Sequence, residues 1–153
     1  NQKYLYDQLV YFVNGERENA LMTAVIPYLK TLSADELLDV AAYYSESSAS
    51  VGQADSNADL LALGESLYRA GDLNRGIPAC TACHSLYGEG NIQAGFPKIS
   101  GQQKGYLIST LKEYRSQSRN AGNYALVMQA ASANLKDDDI EALANYMHGL
   151  YRK

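Results

Sequence analysis

Tryptophan is absent from this chain, phenylalanine occurs twice, and there are only two cysteines, two histidines and three prolines among 153 residues. Each shortage excludes something. No apolar run approaches the length of a membrane span, so the sequence contains no spanning-helix signal. A structural zinc site wants four ligands, and Cys80, Cys83 and His84 leave only His148, far away near the C-terminus. Positive charge is scarce in the first part: residues 1 to 59 carry three basic side chains (Lys3, Arg17, Lys30) against nine acidic ones. Residues 60 to 153 carry ten basic and eight acidic, which completes the net charge of −4. That balance argues against nucleic acid as a partner and gives the chain a dipole able to orient it during an encounter.

What is present is the run Cys80-Thr81-Ala82-Cys83-His84, the C-x-x-C-H spacing of a c-type haem attachment site. Two thiols on one helical turn can bond the two vinyl groups of a single porphyrin, while the adjacent imidazole reaches the iron. A thioredoxin-like redox pair wants a βαβ surround, and no strand pattern flanks the motif. A Cys80–Cys83 disulfide remains open and leaves His84 without a purpose. Thirteen tyrosines suit a small domain around an amphipathic cofactor, because tyrosine fills volume and keeps a polar tip. The first residues, Asn1-Gln2-Lys3-Tyr4, are not a secretion signal. Because this haem is attached outside the cytoplasm, the motif implies an exported protein whose signal has been removed or lies outside this chain.

Apolar spacing predicts a helix over Tyr4 to Phe12, ended by Asn14-Gly15, and a short one from Asn19 to Tyr28 limited by Pro27. Ser33 and Glu36 form a capping box opening a helix through Leu37, Val40, Ala41 and Tyr44. Residues 45–58 read as a linker, and the pattern restarts at Asp59 with a helix stopping at Gly71. The Gly-rich stretch 85–101 reads as a long loop for which a haem edge supplies the packing partner. Tyr106 to Tyr114 is a helix, 115–134 is expected to be polar and irregular around Met128, and Leu135 to Leu150 is the last helix.

The two halves repeat. At an offset of 102, Tyr4 falls on Tyr106, Leu5 on Leu107, Leu9 on Leu111, Phe12 on Tyr114 and Arg17 on Arg119. At an offset of 103, Leu32 falls on Leu135, Asp35 on Asp138, Leu37 on Ile140, Val40 on Leu143 and Tyr43 on Tyr146. Residues 1–44 therefore repeat the back half of the later domain, without a front half.

At this point the sequence resembles the class I cytochromes c, and more closely the two-haem c4-type cytochromes. The resemblance runs through Gly64-x-x-x-Tyr68, Ile77-Pro78-Ala79 before the haem motif, Gly95-Phe96-Pro97, Gly101-Gln102, Tyr106-Leu107, Arg119, Met128, Asp139-Ile140 and Ala144-x-Tyr146, with Ser50-Val51-Gly52 in the joining segment. It implies an all-α fold of helices wrapped around a covalently bound haem c on residues 59–153, preceded by a partial cytochrome c-like domain on 1–44 and a linker on 45–58. It further implies His84 and Met128 as axial ligands of the iron, with the Pro97 carbonyl accepting the Nδ1 hydrogen of His84. Gln102, Tyr106 and Arg119 become candidates for contact with the haem propionates. Met22, five residues after Arg17, takes the place of a distal ligand for the first domain, whose haem peptide is missing. Two explanations stand: a longer two-haem chain of which this is a part, which is favoured, or a one-haem protein with a half domain as an interaction arm.

By the same resemblance the expected role is a periplasmic electron carrier and not an enzyme, drawing on a quinol-oxidising complex and delivering to a terminal haem-copper oxidase, with room for peripheral membrane association. The rivals are a cytochrome subunit fed by a dehydrogenase, and a haem-based gas sensor or peroxidase with an open distal position. No nucleophile and base pair appears in the sequence.

Overall fold

The computed structural model describes residues 1–47 and 52–152. Ser50 and Val51 of the joining segment, and Lys153, lie outside the described residues. Among those described there are eight α-helices and no strand, only isolated bridges at Asp72 with Ile77 and Asn91 with Phe96.

Helix α1 (Gln2–Asn14) starts where the Asn1 side chain accepts from Tyr4 N at 3.2 Å and ends on left-handed Gly15. α2 (Ile26–Leu29) is shorter than the expected Asn19 to Tyr28, because Pro27 occupies the first turn, where its missing N–H costs nothing, and so opens the helix instead of interrupting it. α3 (Ala34–Glu46) begins with the expected box: Glu36 accepts from Ser33 N at 2.8 Å and Ser33 Oγ accepts from Glu36 N at 3.3 Å. It continues two residues past the expected end at Tyr44.

α4 (Ala58–Ala70) is capped by Asn57 on Leu60 N at 3.0 Å. A 3₁₀ turn, Leu73–Arg75, leads to the single turn α5 (Thr81–His84). α6 (Lys104–Arg115), α7 (Ala125–Ser132) and α8 (Asp137–His148) complete the chain. The segment 115–134, expected to be irregular, holds α7. Its residues Ala-Leu-Val-Met-Gln-Ala-Ala-Ser are mostly good helix formers without Gly or Pro, and the polar stretch on either side masked them.

α8 is the organising helix. α4 crosses it at Gly64, where a Cβ would collide with the Ala142 carbonyl, so only glycine lets the backbones meet. Between them and α6 lie Leu67, Tyr68, Ile77, Leu107, Leu111, Ile140, Leu143 and Met147, all buried. Burial of a side chain such as Ile140 or Leu143 stabilises by about 2 kcal/mol. α1 and α3 form a second pair, buried at Phe12, Leu37 and Ala41. Two seams join the pairs. Asn1 Nδ2 donates to the Phe96 carbonyl at 3.2 Å, and the Tyr11 ring lies against Gly122. In the joining segment Asp55 N donates to Asn145 Oδ1 at 2.8 Å, while Asn145 Nδ2 returns a bond to the Asp55 carbonyl at 3.3 Å.

Candidate haem site

Cys80 caps the turn α5, and the amides of Cys83 and His84 both donate to its carbonyl, at 3.3 and 2.9 Å. The turn stops at Ser85, a residue other than glycine at φ +67°, whose carbonyl accepts from the buried Tyr68 hydroxyl at 2.7 Å. Three residues apart, Cys80 and Cys83 share one edge of the turn. Their sulfurs are not joined. Burial pushes the Cys80 thiol up to about 11, so it is neutral at neutral pH and is no thiolate nucleophile.

His84 is buried, and its Nδ1 stands 3.0 Å from the Pro97 carbonyl oxygen. A carbonyl only accepts, so Nδ1 carries the hydrogen and Nε2 presents its lone pair. Burial lowers the His84 pKa, with the Pro97 carbonyl opposing, so the neutral form needed for metal binding is favoured. The loop reaches this position by folding back: Gly90 N donates to the His84 carbonyl at 3.0 Å, and Asn91 and Phe96 exchange bonds at 3.1 and 3.0 Å. At Gly90, φ is +78° and a Cβ would meet the Phe96 and Pro97 carbonyls.

Met128 lies on α7, partly buried, and packs on the same apolar cluster as Cys80. Phe96 links the two sides, its ring 6.3 Å from that of His84 and 5.0 Å from that of Tyr124 at the start of α7. Ser132, one turn beyond Met128 on the same face, is 1% exposed and its hydroxyl has no partner among the described residues. Two thiols on one turn, an imidazole with Nε2 free and a thioether packed on the same cluster as Cys80 fit the donor set of a haem.

The structure brings Cys80, Cys83, His84 and Pro97 into one site. Of the propionate candidates, Tyr106 and Arg119 come together, with Arg119 Nη1 3.4 Å from the Tyr106 hydroxyl. Gln102 does not join them: its side chain accepts from Gln103 N at 2.8 Å and its carbonyl stands 2.8 Å from His148 Nδ1. His148 is half-buried against that loop. Sequence reasoning gave no role to Gly90, Tyr68 or Ser132; Tyr68 stood only in the resemblance motif with Gly64, and Gly90 only in a Gly-rich loop.

Residues 61–150 match the family model described as Cytochrome c. The chain is 39% identical to the cytochrome c4 of Pseudomonas aeruginosa over 98% of its own length and 72% of the relative's. It is 34% identical to the thiosulfate dehydrogenase electron acceptor of Thiomonas intermedia, over 95% of this chain and 65% of that one. The crystal structure of reduced recombinant cytochrome c4 from Pseudomonas stutzeri superposes with a TM-score of 0.89 at 39% identity, covering 98% of this chain and 81% of the other. The chain spans between 58% and 74% of the length of the cytochrome c4 relatives. With an all-helical fold and a C-x-x-C-H turn whose imidazole is already oriented, this chain belongs to the cytochrome c family, among the c4 cytochromes, and is an electron carrier that binds haem c.

Proposed function

We propose that the chain carries electrons in the periplasm on a haem c attached to Cys80 and Cys83 and ligated by His84 and Met128. The observation that carries this reading is the one-turn α5 with His84 Nδ1 bonded to the Pro97 carbonyl at 3.0 Å. When bound, the haem supplies a one-electron ferric/ferrous couple. Pro97 fixes the imidazole tautomer and its rotation. Met128 would hold the haem iron through a soft sulfur, which would raise the potential relative to a second imidazole. The buried cluster on which Cys80 and Met128 pack, including Leu107, Leu111 and Met147, would keep water from that side of the site. Residues 59–153 form the haem domain, 45–58 the linker and 1–44 the partial domain.

The donor in this reading is a quinol-oxidising complex and the acceptor a haem-copper terminal oxidase. Among the described residues no helix is long and apolar enough to cross a membrane. A second donor class, a dehydrogenase such as one oxidising thiosulfate, is supported by the likeness to the Thiomonas acceptor. The deciding measurements are the intact mass of the purified protein, stopped-flow reduction by each donor, and oxidation by oxidase-containing membranes. Covalent haem with rapid turnover between quinol complex and oxidase supports the first reading. Reduction by the dehydrogenase alone supports the second, and a mass without haem removes both.

A further inference from the structure

The residue that follows the proposed iron ligand stands in a backbone conformation suited to glycine. Ser85 has φ +67° and ψ 168°, where the Cβ of an L residue is crowded, and such a residue persists only where its surroundings enforce it. The same loop has glycine at its other positive-φ positions, 88, 90, 95 and 101. Among the described residues the one further non-glycine at positive φ is Gln117, which is exposed on the turn after α6. Ser85 is half-buried, and each of its polar groups is engaged. Its amide donates to the Thr81 carbonyl at 3.1 Å, its hydroxyl accepts from Glu89 N at 3.0 Å, and its carbonyl accepts from the Tyr68 hydroxyl at 2.7 Å and from Gly88 N at 3.3 Å.

Of these bonds the one from Tyr68 is the shortest, and it alone comes from outside the haem turn and its loop. Tyr68 is fully buried on α4, its ring against that of Tyr146 with centroids 5.4 Å apart, so the phenol has little freedom to follow a moving backbone. A carbonyl only accepts, so the phenol donates, and burial keeps it protonated by raising its pKa. The next residue, Arg69, takes the other end of the turn, its carbonyl accepting from Thr81 Oγ1 at 3.3 Å. α4 thus grips the haem turn at both ends, and its close approach to α8 at Gly64 fixes the grip to the core. Beyond the kink, the His84 carbonyl is held by Gly90 N at 3.0 Å. A rotation at Ser85 therefore turns His84 against the loop that carries Pro97.

We propose that Tyr68 is a positioning residue for His84: its hydroxyl holds Ser85 in a conformation that serine resists, and this held kink fixes the imidazole against the Pro97 carbonyl. The proposal rests on the haem reading above and adds to it a residue on α4, outside the haem motif and its loop. Without the clamp the strain at Ser85 relaxes, and the contact between His84 Nδ1 and Pro97 loosens. That hydrogen bond makes the imidazole a stronger donor to the iron, which favours the ferric state. Loosening it raises the reduction potential.

The test uses the haem-loaded protein, its intact mass confirming attachment. Three quantities are read: the reduction potential, the hyperfine-shifted haem methyl signals of the ferric state, which follow the rotation of the axial imidazole, and amide exchange at Gly90. Tyr68→Phe keeps the ring and removes the hydroxyl. It should raise the potential, move the methyl signals and speed exchange at Gly90 about fivefold or more. Ser85→Gly alone should keep the wild-type potential, because glycine takes the same φ and ψ without a clamp. The decisive variant carries both changes: with no strain left to hold, Tyr68→Phe combined with Ser85→Gly should return the potential and the methyl signals to wild type. Tyr146→Phe loses a hydroxyl from the same ring pair, one that accepts from Arg69 Nε at 3.2 Å, and should leave both unchanged. A potential and methyl signals unmoved in Tyr68→Phe overturn the proposal even if the thermal midpoint falls, since the hydroxyl then only supports the core. A double variant no closer to wild type than Tyr68→Phe alone overturns it as well. A mass without haem is a different failure, that of the earlier reading, and the proposal falls with it.

Discussion

The imidazole Nδ1 of His84 and the carbonyl oxygen of Pro97, thirteen residues apart in the chain, meet at 3.0 Å. That contact is held from both ends. Tyr68 anchors Ser85 just after the haem turn, and Ile99 N and Ser100 N both return to the Gly88 carbonyl, at 2.8 and 3.1 Å. The orientation of the histidine is thus a property of the whole 85–100 loop.

Gly90→Ala should expose that dependence. A methyl at φ +78° is strained in itself, and here it also drives into the carbonyls of Phe96 and Pro97. The expected loss is about 1–3 kcal/mol of stability, with a shifted haem potential as the Pro97 oxygen moves. Thermal melting together with potentiometry checks it, and a variant unchanged in both would show that the loop does not set the imidazole.

Asp139 should govern the acid limb of stability. It is 4% exposed, accepts from Arg75 Nη1 at 2.8 Å and Nη2 at 3.1 Å, and receives the Lys136 amide at 2.7 Å. Burial alone would raise its pKa, but these donors outweigh it and hold the carboxyl below its ordinary value. The folded pKa is therefore depressed, so the stabilisation is complete above the unfolded value near 3.8 and is lost as pH falls through the folded one. Asp139→Asn is expected to cost about 2 kcal/mol at neutral pH and to flatten the melting profile below pH 4. An acid limb as steep as wild type would assign it to other carboxylates.

How much of this could be read beforehand varies by element. The C-x-x-C-H turn, the Ser33 box and the helix that stops at Gly71 rest on local spacing, which survives whatever packs on it. α7 escapes a pattern-based reading because its chain-buried positions, Ala125 and Ser132, carry small side chains while the large apolar Leu126 and Val127 stay exposed, so no apolar stripe marks it. The matched offsets placed Arg17 opposite Arg119 in the repeat, yet nothing in one dimension could reveal that each donates to the other half's tyrosine. The contact of His148 Nδ1 with the Gln102 carbonyl joins residues 46 apart, which no local pattern carries.

Asn145→Ala should loosen the joining segment. Asn145 is 1% exposed and satisfies both backbone groups of Asp55, so the alanine leaves that amide and carbonyl without a protein partner. A cost of about 1–2 kcal/mol is expected, with faster amide exchange at residues 52–57 than in α4. Uniform acceleration across both segments would mean that Asn145 supports the core and not the strap.

Met128→Ala tests the proposed ligand against the other methionines. Met147 is 3% exposed within the α4, α6 and α8 core, whereas Met128 is partly buried at that core's edge, where Cys80 also packs. Removing a thioether that closes the iron should abolish the weak far-red absorption of methionine-ligated ferric haem, lower the potential, and allow carbon monoxide to bind. Met147→Leu is the control: a near-isosteric core change, expected to cost under about 1.5 kcal/mol and to leave the spectrum unchanged. Were Met128→Ala to keep both the far-red band and resistance to carbon monoxide, the sixth ligand would have to be sought elsewhere.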